Sequence, residues 1–535
     1  MGQLWHLHRT GRAWLFMAQA LLLAGCGGSD DNLNPGGGPP PYSAVPQVKV
    51  SQPNTFGSNC DGLAAEGTLY QGTAIEPQIA VNAMNRSFLI AVWQQNRWSS
   101  GGSQAIAVSS SVDGGNTWVP GSAPTFSRCG GAGAGDVGDY ARASNPWVSF
   151  APGGTAYALA LAFTGDVLQS GSSSAMLVSS SINGGLNWMP PVALIQDGAN
   201  FFNDKGAITA DPNDFNFVYA VWDRLDGVNN RGPSYFSLTA NANSTWSAAR
   251  SIYDPGVNNQ TINNIIVVTP DGMLIDLFNE IDAVSGASTS HLKAIRSSDH
   301  GTTWSQPILV ADMEGIGTAD PNNQNGVRDA VLLFSAAVGA DGTVYVVWQD
   351  ARFSGGGHDG IALSSSHDEA LHWSTPVQVN GDPSVPAFTP TVAVSPGGAL
   401  AVTYYDLRNA HYSTTQLLTD AWMVTSSDGT NFTETHLSGP FDLQLAPLTP
   451  DGYFLGDYQG LVYTGTQFEP LYAQSNPDAM SVSTDVWFAF PPPASAAAVN
   501  AFAAQPALAA ASLPPAARLR MTQRIHAALA HRTPR

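Results

Sequence analysis

The sequence is poor in charge. Asp, Glu, Lys and Arg make up only 12% of the 535 residues, and 21 basic residues face 41 acidic ones, for a formal net charge of −20. A nucleic-acid surface needs a basic stripe, so that class of partner is excluded. A sparse, acidic charge set suits an exported chain that meets neutral partners. Cysteine is scarcer still, at three, which leaves no room for a disulfide-dense scaffold or a Cys-rich zinc site. The 11 histidines include no H-x-x-x-H pair, and no G-x-S-x-G elbow occurs, so neither a helical zinc site nor a hydrolase nucleophile turn is expected. The apolar run from Ala13 to Ala24 is too short to span a membrane permanently.

Turn residues, by contrast, are plentiful. With 54 Gly, 36 Pro and 43% hydrophobic residues, the composition fits an all-β chain with an ample core. One pattern organises it: S-x-D-x-G-x-x-W, first met as Ser111, Asp113, Gly115 and Trp118. It returns as Ser181, Asn183, Gly185, Trp188; as Ser297, Asp299, Gly301, Trp304; and as Ser366, Asp368, Ala370, Trp373. A shortened copy runs from Ser426 to Phe432, and a worn one lies between Ser237 and Trp246. Starts near 111, 181, 237, 297, 366 and 426 define a repeat architecture. Ser and Asp can hydrogen-bond turn amides, Gly supplies a positive φ, and Trp lays an apolar plate on the following strand.

This pattern resembles the Asp-box, or BNR repeat, of sialidase-like β-propellers, over roughly residues 75 to 490. The box is a structural turn in that family, so the resemblance bears on fold more than on activity. Each copy follows three short β-rich runs, such as Pro77–Val81, Phe88–Trp93 and Ala105–Val108 in the first unit. Three runs remain after the sixth copy (Tyr458–Tyr463, Gln467–Ala473 and Asp485–Phe490), and Val48–Ser51 lacks a sheet. Joining these gives a composite closing blade without open edges. The expected fold is therefore a single all-β propeller of seven four-stranded antiparallel blades, with six as the alternative.

The termini give the remaining domain boundaries. Arg9 and Arg12 precede the apolar run, which ends Leu22-Leu23-Ala24-Gly25-Cys26 and resembles a bacterial lipobox. On that resemblance residues 1–25 are a lipoprotein signal peptide, Cys26 is lipidated, and Gly27 after it implies the outer membrane. Residues 26–45 form a flexible tether, 46–490 the propeller, and 491–535 a disordered Ala/Pro/Arg-rich tail with one helix near 516–530. Cys60 and Cys129 are left as an even pair in an exported chain and are expected to form a disulfide.

Candidate chemistry lies on the face opposite the boxes. There the second strand of a unit repeatedly ends in an aromatic followed by acid and Arg, placing Arg97, Arg224, Arg352 and Arg408 at the rim. The loops entering the innermost strands add Glu76, Arg142, Lys205, Arg328, Asp457 and Tyr458. The central mouth of a propeller is the default ligand site. The cations would bind a carboxylated sugar. Sialidases use a Tyr nucleophile, for which the resemblance offers Tyr458, Tyr140 or Tyr405, with Asp457, Glu76, Asp204 or Asp329 as acid/base. Against this, W-D-x-R recurs as a structural clasp would, and the F/Y-R-I-P sequence of catalytic sialidases is replaced by Ile75-Glu76-Pro77-Gln78-Ile79. The expected function is carbohydrate-directed, a glycoside hydrolase or a non-catalytic propeller that binds a glycan or a surface protein. No cofactor is expected. Asp320 to Gly326 resembles a calcium loop, but its Gly falls one place late and no Glu closes it. A monomer is expected.

Overall fold

A computed structural model describes residues 38–39, 42–43, 45–53, 56–57, 59–63, 67–283, 288–476, 481–493, 501–506 and 513–530. The chain divides into two compact units, Met1–Gly38 and Pro39–Arg535, and all that follows concerns the second. The signal stretch 1–25 and Cys26 lie outside the described residues.

The unit is nearly all-β, with one α-helix, Pro515–Ala530, among the described residues. Antiparallel groups follow one another along the chain. The first runs Leu69–Val81, Leu89–Trp98, Ser103–Ser111 and Val119–Pro120; the second runs Arg142–Phe150, Ala156–Thr164, Ser173–Ser181 and Val192–Gly198. Further groups start at Phe201–Ala210, Asn259–Val268, Phe334–Val338 and Ala387–Val394. The last group holds Gly460–Tyr463, Phe468–Ser475 and Thr484–Ala489, and its fourth strand comes from the other end of the chain: Gln47–Lys49 pairs antiparallel with Thr484–Ala489, Val48 opposite Phe488. The first strand of each group packs against the first strand of the next, and Gly460–Tyr463 touches both Ala387–Val394 and Leu69–Val81.

Hydrophobic layers lie between successive groups. Leu159, Tyr157 and Met176 of the second pack with Ile208, Val218 and Trp222 of the third. The Ser-Asp-Gly turns lock those layers. In the first, the amide of Gly115 donates to Ser111 Oγ at 2.8 Å and the amide of Thr117 to Asp113 Oδ1 at 2.9 Å. The worn copy makes the same bonds with Thr239 and Asn241 in place of Ser and Asp. Its third position is Asn243 at φ 76°, where Gly115 sits at 87°. A short polar side chain tolerates that conformation, which explains how the copy decayed in sequence without losing the turn. A Cβ on Gly115 would collide with the ring of Phe488 in the last group.

Two differences from the sequence reading matter for the site. The first strand of the fifth group, which the sequence pattern places at Val331–Ala337, starts only at Phe334, because Ala330 takes a positive φ of 60° and the amide of Leu333 closes a turn on its carbonyl at 2.8 Å. Within 491–535, expected to be disordered, Ala501–Ala503 and Gln505–Pro506 add edge strands to two sheets, and Ile525 and Leu529 of the helix are buried. Apolar stripe spacing is the reason: Ala517, Met521, Ile525 and Leu529 recur every fourth residue. Cys60 and Cys129 are disulfide-bonded with Cα atoms 5.0 Å apart, joining the loop before the first group to the loop after its turn.

Gly115→Val should destabilise by about 1–3 kcal/mol, since it adds both a strained φ and overpacking. Thermal denaturation checks this against the exposed neighbour Val112→Thr, which should leave the midpoint unchanged.

Candidate functional site

The site is built from one recurring irregularity. Five of the innermost strands break register, and a residue with positive φ sits in the break: Glu76 (54°), Asn145 (52°), Lys205 (46°), Asn263 (61°) and Thr389 (52°). Ala330 holds the matching place ahead of Phe334–Val338. A bulge of this kind re-aims a side chain out of the pleat. Non-glycine residues in that region are strained, and such strain concentrates at functional sites. The bulge residues differ in chemistry while their backbone repeats, so the scaffold is periodic and the side chains it presents are not.

Asp457 is where the presented groups meet. Arg328 Nη2 lies 2.7 Å from Asp457 Oδ2 and its Nε 3.2 Å from Oδ1, while Lys205 Nζ also pairs with Oδ2. Burial alone would raise the Asp457 pKa, but Arg328 and Lys205 hold it well below the usual carboxylate range. Beneath them Glu76 is fully buried. Burial first, and then the charge of Asp457, push its pKa up to about 7. Gln94 links Glu76 to the cavity: its Nε2 donates to Glu76 Oε2 and, at 3.0 Å, to Ser144 Oγ, and its Oε1 accepts from Arg97 Nη1 at 2.7 Å. Glu76 Oε1 and Arg97 Nε are buried without a hydrogen-bond partner. Burial and the neighbouring Arg328 lower the Arg97 pKa to about 9. Arg97 and Arg328 both lie over the ring of Phe454, at 4.9 and 4.1 Å.

Above this cluster is a cavity of about 590 Å3. Arg97, Asn145, Asp204, Lys205, Arg328 and Asp457 are among its polar lining residues; Phe163, Phe202, Ile262 and Leu332 are among its apolar walls. Of the residues singled out from sequence, Glu76, Arg97, Asp204, Lys205, Arg328, Asp329 and Asp457 come together here.

The others do not. Tyr458 is buried, its hydroxyl donates to the carbonyl of Pro146 at 2.6 Å, and burial with Glu76 and Asp457 raises its pKa well above a free phenol's. Tyr458 is also absent from the cavity lining, so its hydroxyl is not presented there. Arg142 lies one layer out, donating to Gly101 O at 2.8 Å and stacking over Trp98 at 5.2 Å. Arg224, Arg352 and Arg408 are absent from the cavity lining. Arg352 pairs with Asp350 at 2.8 Å, Arg408 with Asp406 at 2.6 Å and Glu434 at 2.9 Å, and Arg224 reaches Asp197 in the preceding group at 2.6 Å. These three are clasps. In the stretch resembling a calcium loop, Asp320 accepts from the amide of Asn322 at 2.9 Å and from Gln444 at 3.2 Å, as a turn residue does.

Sequence reasoning missed Gln94 and Asn145. A signal for Asn145 was present: Glu76-Pro77, Asn145-Pro146 and Thr389-Pro390 share one place relative to their strands.

No family model matches the chain, and no curated protein does. Among solved structures, the α-L-arabinofuranosidase of Fusarium graminearum is similar at 12% identity and a TM-score of 0.42, over 67% of this chain and 92% of that one. The α-L-arabinanase of Penicillium chrysogenum is similar at 14% and 0.42, over 68% and 94%. The sialidase of Trypanosoma rangeli is similar at 16% and 0.40, over 68% and 58%. At such identities and TM-scores these likenesses assign the chain to no family.

Asp457→Asn leaves the buried Lys205 and the half-buried Arg328 without their anion and should cost about 3 kcal/mol. Lys205→Met in that background should restore part of the loss. Denaturation midpoints of the single and double variants test this, and equal midpoints would show that the pairing contributes nothing.

Proposed function

We propose that the chain is an exported, lipid-anchored β-propeller of seven blades, sialidase-like in architecture, whose central cavity takes a glycan and hydrolyses a glycosidic bond. The circuit of packed first strands and the pairing of Val48 with Phe488 support closure and the count of seven. The Cys60–Cys129 disulfide supports export, since such bonds persist in oxidising compartments. Lipidation at Cys26 and attachment to the outer membrane rest on the amino-terminal sequence.

One observation carries the catalytic reading: two carboxyl groups share a site that drives their pKa values apart, Glu76 up to about 7 and Asp457 well below normal. Such a split is how a site obtains an acid and an anion at the same pH. In this reading protonated Glu76 gives its proton to the glycosidic oxygen as the C–O bond breaks and the leaving alcohol departs, Asp457 stabilises the positive charge that develops on the glycosyl ring, and water adds to the anomeric carbon and returns a proton to Glu76. Arg97, which forms no ion pair among the described residues, is the cation left to receive an acidic group on the sugar. The second reading, a glycan- or protein-binding propeller without turnover, is favoured by a different observation. Glu76 is absent from the cavity lining and reaches it through Gln94.

Chromogenic glycosides and a glycan array separate the two. For a hydrolase, Glu76→Gln should lower kcat by about 100-fold or more, the scale of general-acid catalysis. The wild-type rate should fall as pH rises through about 7, where Glu76 loses its proton. Binding without turnover in any glycoside would establish the second reading, and silence in both assays would sink a carbohydrate role.

Stability should follow the same group. A carboxyl whose pKa is higher folded than unfolded contributes stability at low pH that is lost as pH rises through the folded value. Glu76→Gln should therefore raise the melting temperature relative to wild type at pH 8 more than at pH 5.

A further inference from the structure

The cavity is not formed by sheet residues alone. Arg524, Ala527, Ala528 and Ala530 of the carboxy-terminal helix line it too. The helix is held on its other side by Ile525 and Leu529, which pack with Ile262, Ile281, Leu332 and Leu333 beside the cavity. Leu513 and Ala517 pack with Ile316 and Ala351. Polar contacts fix its register: Arg520 donates to the carbonyl of Gly356, Arg524 Nη2 to that of Thr318 at 2.6 Å, and His526 Nε2 sits 3.0 Å from Ser288 Oγ. Arg524 and Ala528 lie one residue before Ile525 and Leu529, on the helix flank adjacent to the buried stripe.

Four cations, Arg97, Lys205, Arg328 and Arg524, line the cavity, and Asp166, Asp204, Asp329 and Asp451 line it beside Asp457. Asp457 pairs with two of the cations, Lys205 and Arg328. Among the described residues neither Arg97 nor Arg524 is within ion-pair distance of a carboxylate. They come from opposite ends of the chain and line one chamber, and the Arg524 guanidinium keeps donors beyond its single bond to Thr318.

We infer that the carboxy-terminal helix is a wall of the ligand site and that Arg524 is a ligand-binding residue that recognises an acidic group on a bound saccharide. This rests on the reading of the cavity as a glycan site and assigns its second anion contact. Ala527, Ala528 and Ala530 give the wall a small-residue surface that leaves room for a sugar ring, and the guanidinium fork reads a carboxylate or sulfate in bidentate fashion.

The test uses the whole mature chain and a panel of uronate, sialylated and sulfated oligosaccharides, with the tightest binder carried forward beside its neutral counterpart. Arg524→Ala should weaken the acidic probe by at least tenfold and leave the neutral one within twofold. Hydrogen exchange should show residues 515–530 protected in wild type and in Arg524→Ala alike, and more protected with the acidic probe bound. Ile525→Asp, which undocks the helix, should lose both the protection and the acidic preference. Equal affinity of Arg524→Ala and wild type for the acidic probe overturns the inference, as does exchange of 515–530 at the rate of a free peptide. No binding by wild type to any acidic probe removes the glycan reading itself, and this inference with it.

Discussion

The centre of the structure depends on one buried carboxylate. Lys205 belongs to the third antiparallel group, Arg328 to the loop before the fifth, and Asp457 to the approach to the last; sequence separations of 252 and 129 residues are bridged at a single side chain. A buried Lys205 and a half-buried Arg328 share a site only with an anion between them, because desolvation and mutual repulsion both oppose their meeting without one. Asp457 therefore acts as a counter-charge and as a long-range fastener. Its full ionisation has a consequence for its neighbour. Glu76 senses that charge and its own burial and keeps its proton to about pH 7. The anion that stabilises the centre thus also makes an acid of the residue beneath it.

The bulged first strands explain why this chemistry sits where it does. Repetition of a backbone break in successive groups points one side chain per group away from the sheet, at Glu76, Asn145, Lys205, Asn263 and Thr389. Evolution of a site on such a frame requires only changes of side chain, since the left-handed backbone is already in place. The same periodicity governs the opposite end of each group. There Ser111, Ser181, Thr239, Ser297, Ser366 and Ser426 all bind turn amides, and repeated chemistry serves a repeated structural task.

That contrast sets what the sequence revealed. The turns were legible because Ser, Asp, Gly and Trp repeat at fixed spacing, and the antiparallel groups between them followed. Glu76, Lys205, Arg328 and Asp457 were legible because charged residues are few and these four precede successive strands. The clasps at Arg352 and Arg408 were legible in the acid two residues before each, Asp350 and Asp406, whereas Asp197 for Arg224 and Glu434 for Arg408 lie on other strands and only folding brings them near. Tyr458 shows a further limit: sequence places it beside Asp457, but only coordinates show that its hydroxyl donates to Pro146. Gln94 was hidden because a neutral amide carries no charge pattern, although it connects Glu76 with Arg97.

The tail shows why low complexity is a poor guide to position. Residues 491–535 read as Ala, Pro and Arg with little core to offer, yet an apolar residue every fourth position suffices to seat a helix when the surface beneath presents Leu332 and Leu333. Those two leucines are available because the chain between Arg328 and Phe334 leaves the sheet, turning at Ala330. A regular strand in that segment would have directed alternate residues into the blade layers and left no apolar ledge beside the cavity. The delayed start of one strand and the docking of the last helix are thus one structural event. It places Arg328 against Asp457 on one side of the loop and Arg524 beside the same chamber on the other.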